Sequence, residues 1–449
     1  MAAKPTTFGS FHNGIALSKK IAGGFHSLKS CDIHSQAGAA TGSFAFEKTS
    51  GTIVDNLPDS SVTLPSGDSF FATSSSGKIW KVTTSGVTSL VHTNTQGVNF
   101  GLGYFMGYLY YASATKLGRI AESNASSEAT WSSQTDSWAT FTNTNVHPIK
   151  MEEQNASLFI PNRNYVAAVN SAGVFEAASL DLQSQHSITT CIPAGTGLLI
   201  GTWVGNYHNQ AGLFLWDTYS PSYIVDSYID EAGVNAFIRG EMIFIQAGLV
   251  GNIYYWSGEK AVLYKRLRDG DTVIVTGINP SGAANLNGLP LFTTRQGIYS
   301  LGRGDASLPV AQNIEYVYSA TNTITPGAIQ VVGGQIFTGW KNFDGVTTTY
   351  GIDKLSNNKS YAIITTCQAK GVIKSVKVFY DSIPAGTSIS ARVNKDNSGF
   401  VTHDLVQDDG DERCFRSVVD VMSKSSAQFE ITLVSSGSNS PIIDAIVVQ

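Results

Sequence analysis

Charge is scarce in this chain. Only 14% of its 449 residues are Asp, Glu, Lys or Arg, against roughly 25% in an average globular protein. The 34 acidic and 29 basic residues leave a formal net charge of -5. That balance provides no basic footprint, so no sequence-specific nucleic-acid partner is expected. No run of 18 apolar residues occurs, so neither a transmembrane helix nor membrane insertion is expected. The opening MAAKPTTFGSFHNGIALSKKIAGG has no basic stretch followed by an apolar one. It is therefore not read as a secretory signal, and synthesis in a cytosol is expected. The four cysteines, Cys31, Cys191, Cys367 and Cys414, lie far apart with no C-x-x-C pair, which removes zinc-ribbon and thioredoxin chemistry. They read as buried thiols; a meeting of Cys367 with Cys414 across one sheet stays open.

Catalytic motifs are missing as well. G-x-S-x-G is absent, so a nucleophile elbow has no basis. The stretch GLGYFMG at Gly101 has G-x-G but runs on into aromatics, and SSSGK at Ser74–Lys78 lacks the first Gly and the Ser or Thr of a P-loop; both read as strand and hairpin. The eight histidines, His26, His34, His208 and His403 among them, form no H-E-x-x-H or H-x-H. No metal site and no cofactor are implied. NKDNSG, Asn394–Gly399, places oxygen side chains like the start of a calcium loop, but Leu405 stands where the bidentate Glu belongs, so a hairpin turn is the better reading. The acidic run Asp408, Asp409, Asp411 and Glu412 reads as a solvated loop.

What is present is a repeat. From about residue 65 to 357 an apolar run, a Gly-containing turn and a second, aromatic-bearing run recur. Examples are SFFATSSSGKIWKV from Ser69, GYLYYASATKLGRI from Gly107, ASLFIPNRNYVAAV from Ala156 and EMIFIQAGLVGNIYYWSG from Glu241. Seven such units at a spacing of roughly 40–50 residues match propeller blades. A lone four-stranded sheet cannot hide both faces, and radial packing buries each against its neighbour. A series of β-sandwiches is the competing architecture. From about 358 the strands lengthen and alternate, as in VIKSVKVFYD and PIIDAIVVQ, the pattern of an antiparallel sandwich. Residues 1–60 are Gly- and Ser-rich with little periodicity and read as an extended arm ordered by neighbours. The expected fold is thus all-β: an N-terminal arm (1–60), a β-propeller of about seven blades (61–357) and a C-terminal β-sandwich (358–449).

Two sets of residues carry functional alternatives. Trp203, Tyr207 and Trp216 are candidate members of a sugar-stacking platform, beside Tyr254, Tyr255 and Trp256. The carboxylates Glu152, Asp217, Asp226, Asp230, Glu241 and Asp344 are candidates for a glycosidase pair, which needs two acids about 5–10 Å apart; they fall on different blades.

The arm text NGIALSKKIAGGFHSLKSCDIHSQAGA, with its Asp32–Gly38 segment, the degenerate propeller and the closing SPIIDAIVVQ together resemble structural proteins of tailed-bacteriophage tails. Propeller-bearing hub and nozzle proteins of short-tailed phages are similar in layout. The resemblance implies a non-enzymatic virion component made in the bacterial host cytoplasm. It would assemble as a symmetric homo-oligomer with other tail proteins through its arm and sheet edges. The alternatives are a receptor-binding protein that grips a host-surface glycan, and a propeller glycosidase or depolymerase.

Overall fold

The computed structural model describes residues 6–9, 11, 15, 25–36, 38–52, 54–131, 133–204, 210–266, 278–303, 310–317, 323–366, 369–408 and 413–449. Among them the only helical pieces are short 3-10 turns, such as Glu122–Asn124 and Ser133–Ser137. No helix among the described residues is long and apolar enough to cross a membrane. The chain divides into two compact units, each discontinuous in sequence. One comprises residues 47–296 and 319–354; the other comprises 1–46, 297–318 and 355–449.

The first unit is a ring of sheets. Its first complete sheet is Ser60–Thr63, Ser69–Ala72, Lys78–Val82 and Val87–Thr93. Four more antiparallel four-stranded sheets follow, opening with Gly101–Phe105, Glu152–Gln154, Ser187–Ala194 and Val234–Arg239. The hairpin Ala283–Leu286/Leu289–Thr294 and the strands Thr323–Val332, Gln335–Phe343 and Thr348–Lys359 complete the series. The opening strands neighbour one another around a circle, and Thr323–Val332 returns to lie beside Ser60–Thr63. Hydrogen bonds stitch the circle. Leu102 N–H donates to Ser60 Oγ at 2.9 Å, Lys150 N–H to Thr189 O at 3.1 Å, Ile329 N–H to Ser281 O and Ala328 N–H to Pro58 O, both at 2.8 Å. This is a β-propeller with seven radial positions, as the repeat predicted.

The apolar runs are continuous because both faces of each sheet are covered. Successive side chains of a strand point to opposite faces, so each strand serves two cores. Phe70 packs with Leu102, Leu109 and Tyr111 of the next sheet. Phe71 packs with Trp80, Phe337 and Ile352 on the other side. Tyr110 and Tyr111 divide in the same way. The strap 47–52 closes the ring. Thr49 N–H donates to Ile352 O at 3.1 Å and its hydroxyl to the same oxygen at 2.8 Å. Ser50–Gly51 then runs parallel to Val87–Thr88.

The second unit does not confirm two expectations, the arm and the sandwich. The described parts of the segment before residue 47 pair within the chain: Thr6–Gly9 runs antiparallel to Ile442–Val448, with Thr6 opposite Val448. Phe25–Lys29 pairs with Ala362–Thr366, and Ala40 faces Ile443. Phe11 and Phe25 stack at 4.5 Å, both fully buried. Apolar residues spaced too irregularly to read as strands are thus held by distant partners. The C-terminal strands also do not form two separate sheets. The 21-residue strand Cys414–Val434 pairs with Ala369–Ser382 along its first part and with Ala362–Thr366 and Ser388–Lys395 along its last. It thereby joins them into one hydrogen-bonded sheet. Register shifts near Lys374 and Gly371 give the bends that let one strand serve both parts. In VIKSVKVFYD, Val376 and Val378 are buried while Lys374 is exposed. Asn394–Gly399 is a hairpin turn, with Asn394 Oδ1 accepting from Gly399 N–H at 3.1 Å.

Candidate functional site: the hub cavity

The propeller holds a cavity of about 400 Å³, open to solvent on one side and lined by residues from five of the radial positions. Polar side chains face this space: Ser61 and Thr63 from the first position, Glu152 and Glu153 from the third, Asn285 and Gln330 from the last two. Gly103 is required where Gly101–Phe105 passes the 149–151 segment. A Cβ there would sit 2.8 Å from Met151 Sδ and 2.9 Å from its Cβ.

Lys150 and Glu152 form an ion pair on the wall, Nζ to Oε1 at 3.0 Å, with both side chains partly open to solvent. Glu153, beside them, is exposed. Ser61 Oγ donates to Gln330 Oε1 at 3.2 Å, which leaves the amide nitrogen of Gln330 as a donor. Tyr104 donates its hydroxyl to Glu122 Oε2 at 2.8 Å, fixing the ring at the cavity edge. Partial burial, and then the carboxylate that accepts its proton, push the phenol above its ordinary value; the same bond holds Glu122 below its own.

Of the six carboxylates singled out in the sequence, Glu152 lines this cavity. Asp217 and Asp344 instead cap turns, accepting from Ser220 and Tyr219 N–H and from Val346 and Thr347 N–H. Asp226, Asp230 and Glu241 are exposed elsewhere. None of the other five joins Glu152 in the lining of this cavity. Among the described residues no cluster of three or more His, Cys, Asp or Glu is placed to hold a metal ion.

One member of the aromatic platform, Trp216, is corrected. Trp216 is 1% exposed, edge-on to Phe159 at 5.4 Å, with its indole N–H donated to Ser220 O. It is core and offers no face to a sugar. Trp203 is half-buried and its ring covers Gly233, where a Cβ would lie 1.9 Å from Cε3. Tyr207 lies outside the described residues. Trp256 is core, and Tyr254 donates to Glu231 at 3.0 Å.

Sequence reading missed one buried polar centre. Asp136 accepts from His92 Nε2 at 2.7 Å, Tyr111 OH at 2.7 Å, and Thr95 N–H and hydroxyl at 2.8 and 2.7 Å. His92 stacks on Trp131 at 4.3 Å. Burial raises the Asp136 carboxyl, but these donors outweigh it and hold it at about 2. The group is a fastener between the first two sheets. No local spacing announces it, because its members are up to 44 residues apart.

No family model matches the chain, and no curated protein matches it. Among solved structures, a streptogramin B lyase is similar at 14% identity, over 70% of this chain and 98% of that one, with a TM-score of 0.51. YCF48 bound to a D1 peptide is similar at 9% identity over 73% and 99%, with a TM-score of 0.47. A calcium-binding regucalcin from Agrobacterium tumefaciens is similar at 10% over 70% and 94%, with a TM-score of 0.41. At such identities the likeness to the lyase is one of propeller fold and carries no activity across.

Proposed function

We propose that this chain is a structural, non-catalytic part of a bacteriophage tail, made in the host cytoplasm and built into the virion as a symmetric oligomer. One observation carries the reading. The polypeptide passes between its two compact units four times, after residues 46, 296, 318 and 354. A part that is held by one face and holds with another bears tension between its halves. A simple two-domain chain has one such crossing, and repeated crossings keep the halves of a part under tension covalently joined.

With the N-terminal segment used internally, assembly falls to sheet edges. Phe175–Asp181, Val225–Ile229 and Ala261–Lys265 each end their sheets among the described residues. Main-chain groups there can pair with a neighbour. Beside the second of these, Tyr219 (80% exposed), Ile224 (62%) and Tyr228 (48%) present apolar surface, the kind of patch that partners cover. Quantitative mass spectrometry of gradient-purified particles tests the role. A fixed copy number relative to the capsid protein is expected; absence of the chain from infectious particles contradicts it.

A further inference from the structure

The hub cavity has a chemistry that the tail role does not use. We propose that it binds a small neutral saccharide of one or two rings.

About 400 Å³ lies at the lower end of small-molecule pockets, roughly 300–1,000 Å³, with room for a sugar or two and not for a long chain. The walls combine apolar surface from the partly exposed Val62 and Val331 with polar side chains, the mixture that matches a sugar's C–H faces and hydroxyl rim. Lys150 and Glu152, with charged atoms 3.0 Å apart, are spaced for a vicinal diol: one hydroxyl donates to the carboxylate while its neighbour accepts from the ammonium. Such charge-assisted bonds are the stronger kind. The Gln330 amide nitrogen adds a donor from across the cavity.

Charge sets the specificity. The lining holds two carboxylates, Glu152 and Glu153, and one ammonium, Lys150. The Lys150 charge is already engaged by Glu152. An anionic sugar therefore meets net repulsion, and a neutral one does not.

The inference is independent of the virion role: a chain found in particles that binds no sugar overturns this proposal alone. The test is saturation-transfer NMR on the full chain with maltose, N-acetylglucosamine, methyl mannoside and glucuronate. Transfer to at least one neutral sugar, and none to glucuronate, is expected. Titration of the responding sugar against Glu152→Gln and Lys150→Met should show affinity falling about tenfold for each, the scale of one lost charge-assisted bond. Thermal melts verify that the variants are folded, and the comparison of neutral with acidic sugars uses the unsubstituted protein, so it stands without them. Silence from every neutral sugar, equal transfer to glucuronate, or undiminished affinity in folded Glu152→Gln overturns the proposal.

Discussion

Phe70 and Phe71 are adjacent in one strand and belong to different hydrophobic cores, the first shared with the following sheet and the second with the preceding one. Both are essentially inaccessible to water. Each core is filled from two sheets, so loss of either ring opens a cavity that one blade cannot close alone. Phe70→Ala and Phe71→Ala should each destabilise by about 3–5 kcal/mol. Because the cavities form on opposite faces, the double variant should lose close to the sum of the two single losses. Urea unfolding measures this; strong non-additivity would mean the two rings share one core.

Closure of the ring gives the second prediction. The Thr49 hydroxyl donates to Ile352 O and accepts from Thr88 Oγ1 at 2.7 Å, linking the last sheet to the first. Thr49→Val keeps the shape and removes both bonds, one of them from the nearly inaccessible Thr88. The expected loss is about 1–2 kcal/mol. The exposed Thr144→Val should stay within about 0.5 kcal/mol of the parent. Equal effects in thermal melts would remove the strap from the account.

Two buried aspartates predict opposite responses to pH. Burial pushes Asp59 up to about 7, against the bonds it accepts from the Ser74 N–H and hydroxyl. Between the ordinary carboxylate value and 7 the folded state then binds more protons than the unfolded one. Stability from this group therefore falls as pH rises through that window and is level above it. Asp136, held at about 2, contributes stability above the ordinary carboxylate value, which is lost as pH falls toward 2. Stability curves for Asp59→Asn and Asp136→Asn check the signs. The first should lose the decline between about pH 4 and 7, and the second the rise from acid. An unchanged slope in Asp59→Asn contradicts the buried, protonated carboxyl.

What could be read from the sequence follows from where water is. The middle hairpin of each blade, such as Ser69–Ala72 with Lys78–Val82, is buried on both faces and announces itself as paired apolar runs. Two of the opening strands do not. Glu152–Gln154 and Ser60–Thr63 are polar because they face the hub, and strands of that composition look like loops. The cavity was thus hidden by the property that makes it a site, and Glu152 entered only as one acid among six. Trp216 misled in the other direction, since an aromatic in a blade serves the core more often than a ligand. The N-terminal strands Thr6–Gly9 and Phe25–Lys29 were illegible because their partners, Ile442–Val448 and Ala362–Thr366, lie hundreds of residues away.

The account stands or falls on where this chain works. An electron cryo-microscopy reconstruction of the intact phage particle should show rings of sheets with seven radial positions, repeated by symmetry along or around the tail axis. Their outer strands, Val225–Ile229 among them, should contact neighbouring subunits. A complete tail whose density is fully accounted for by other chains would contradict it.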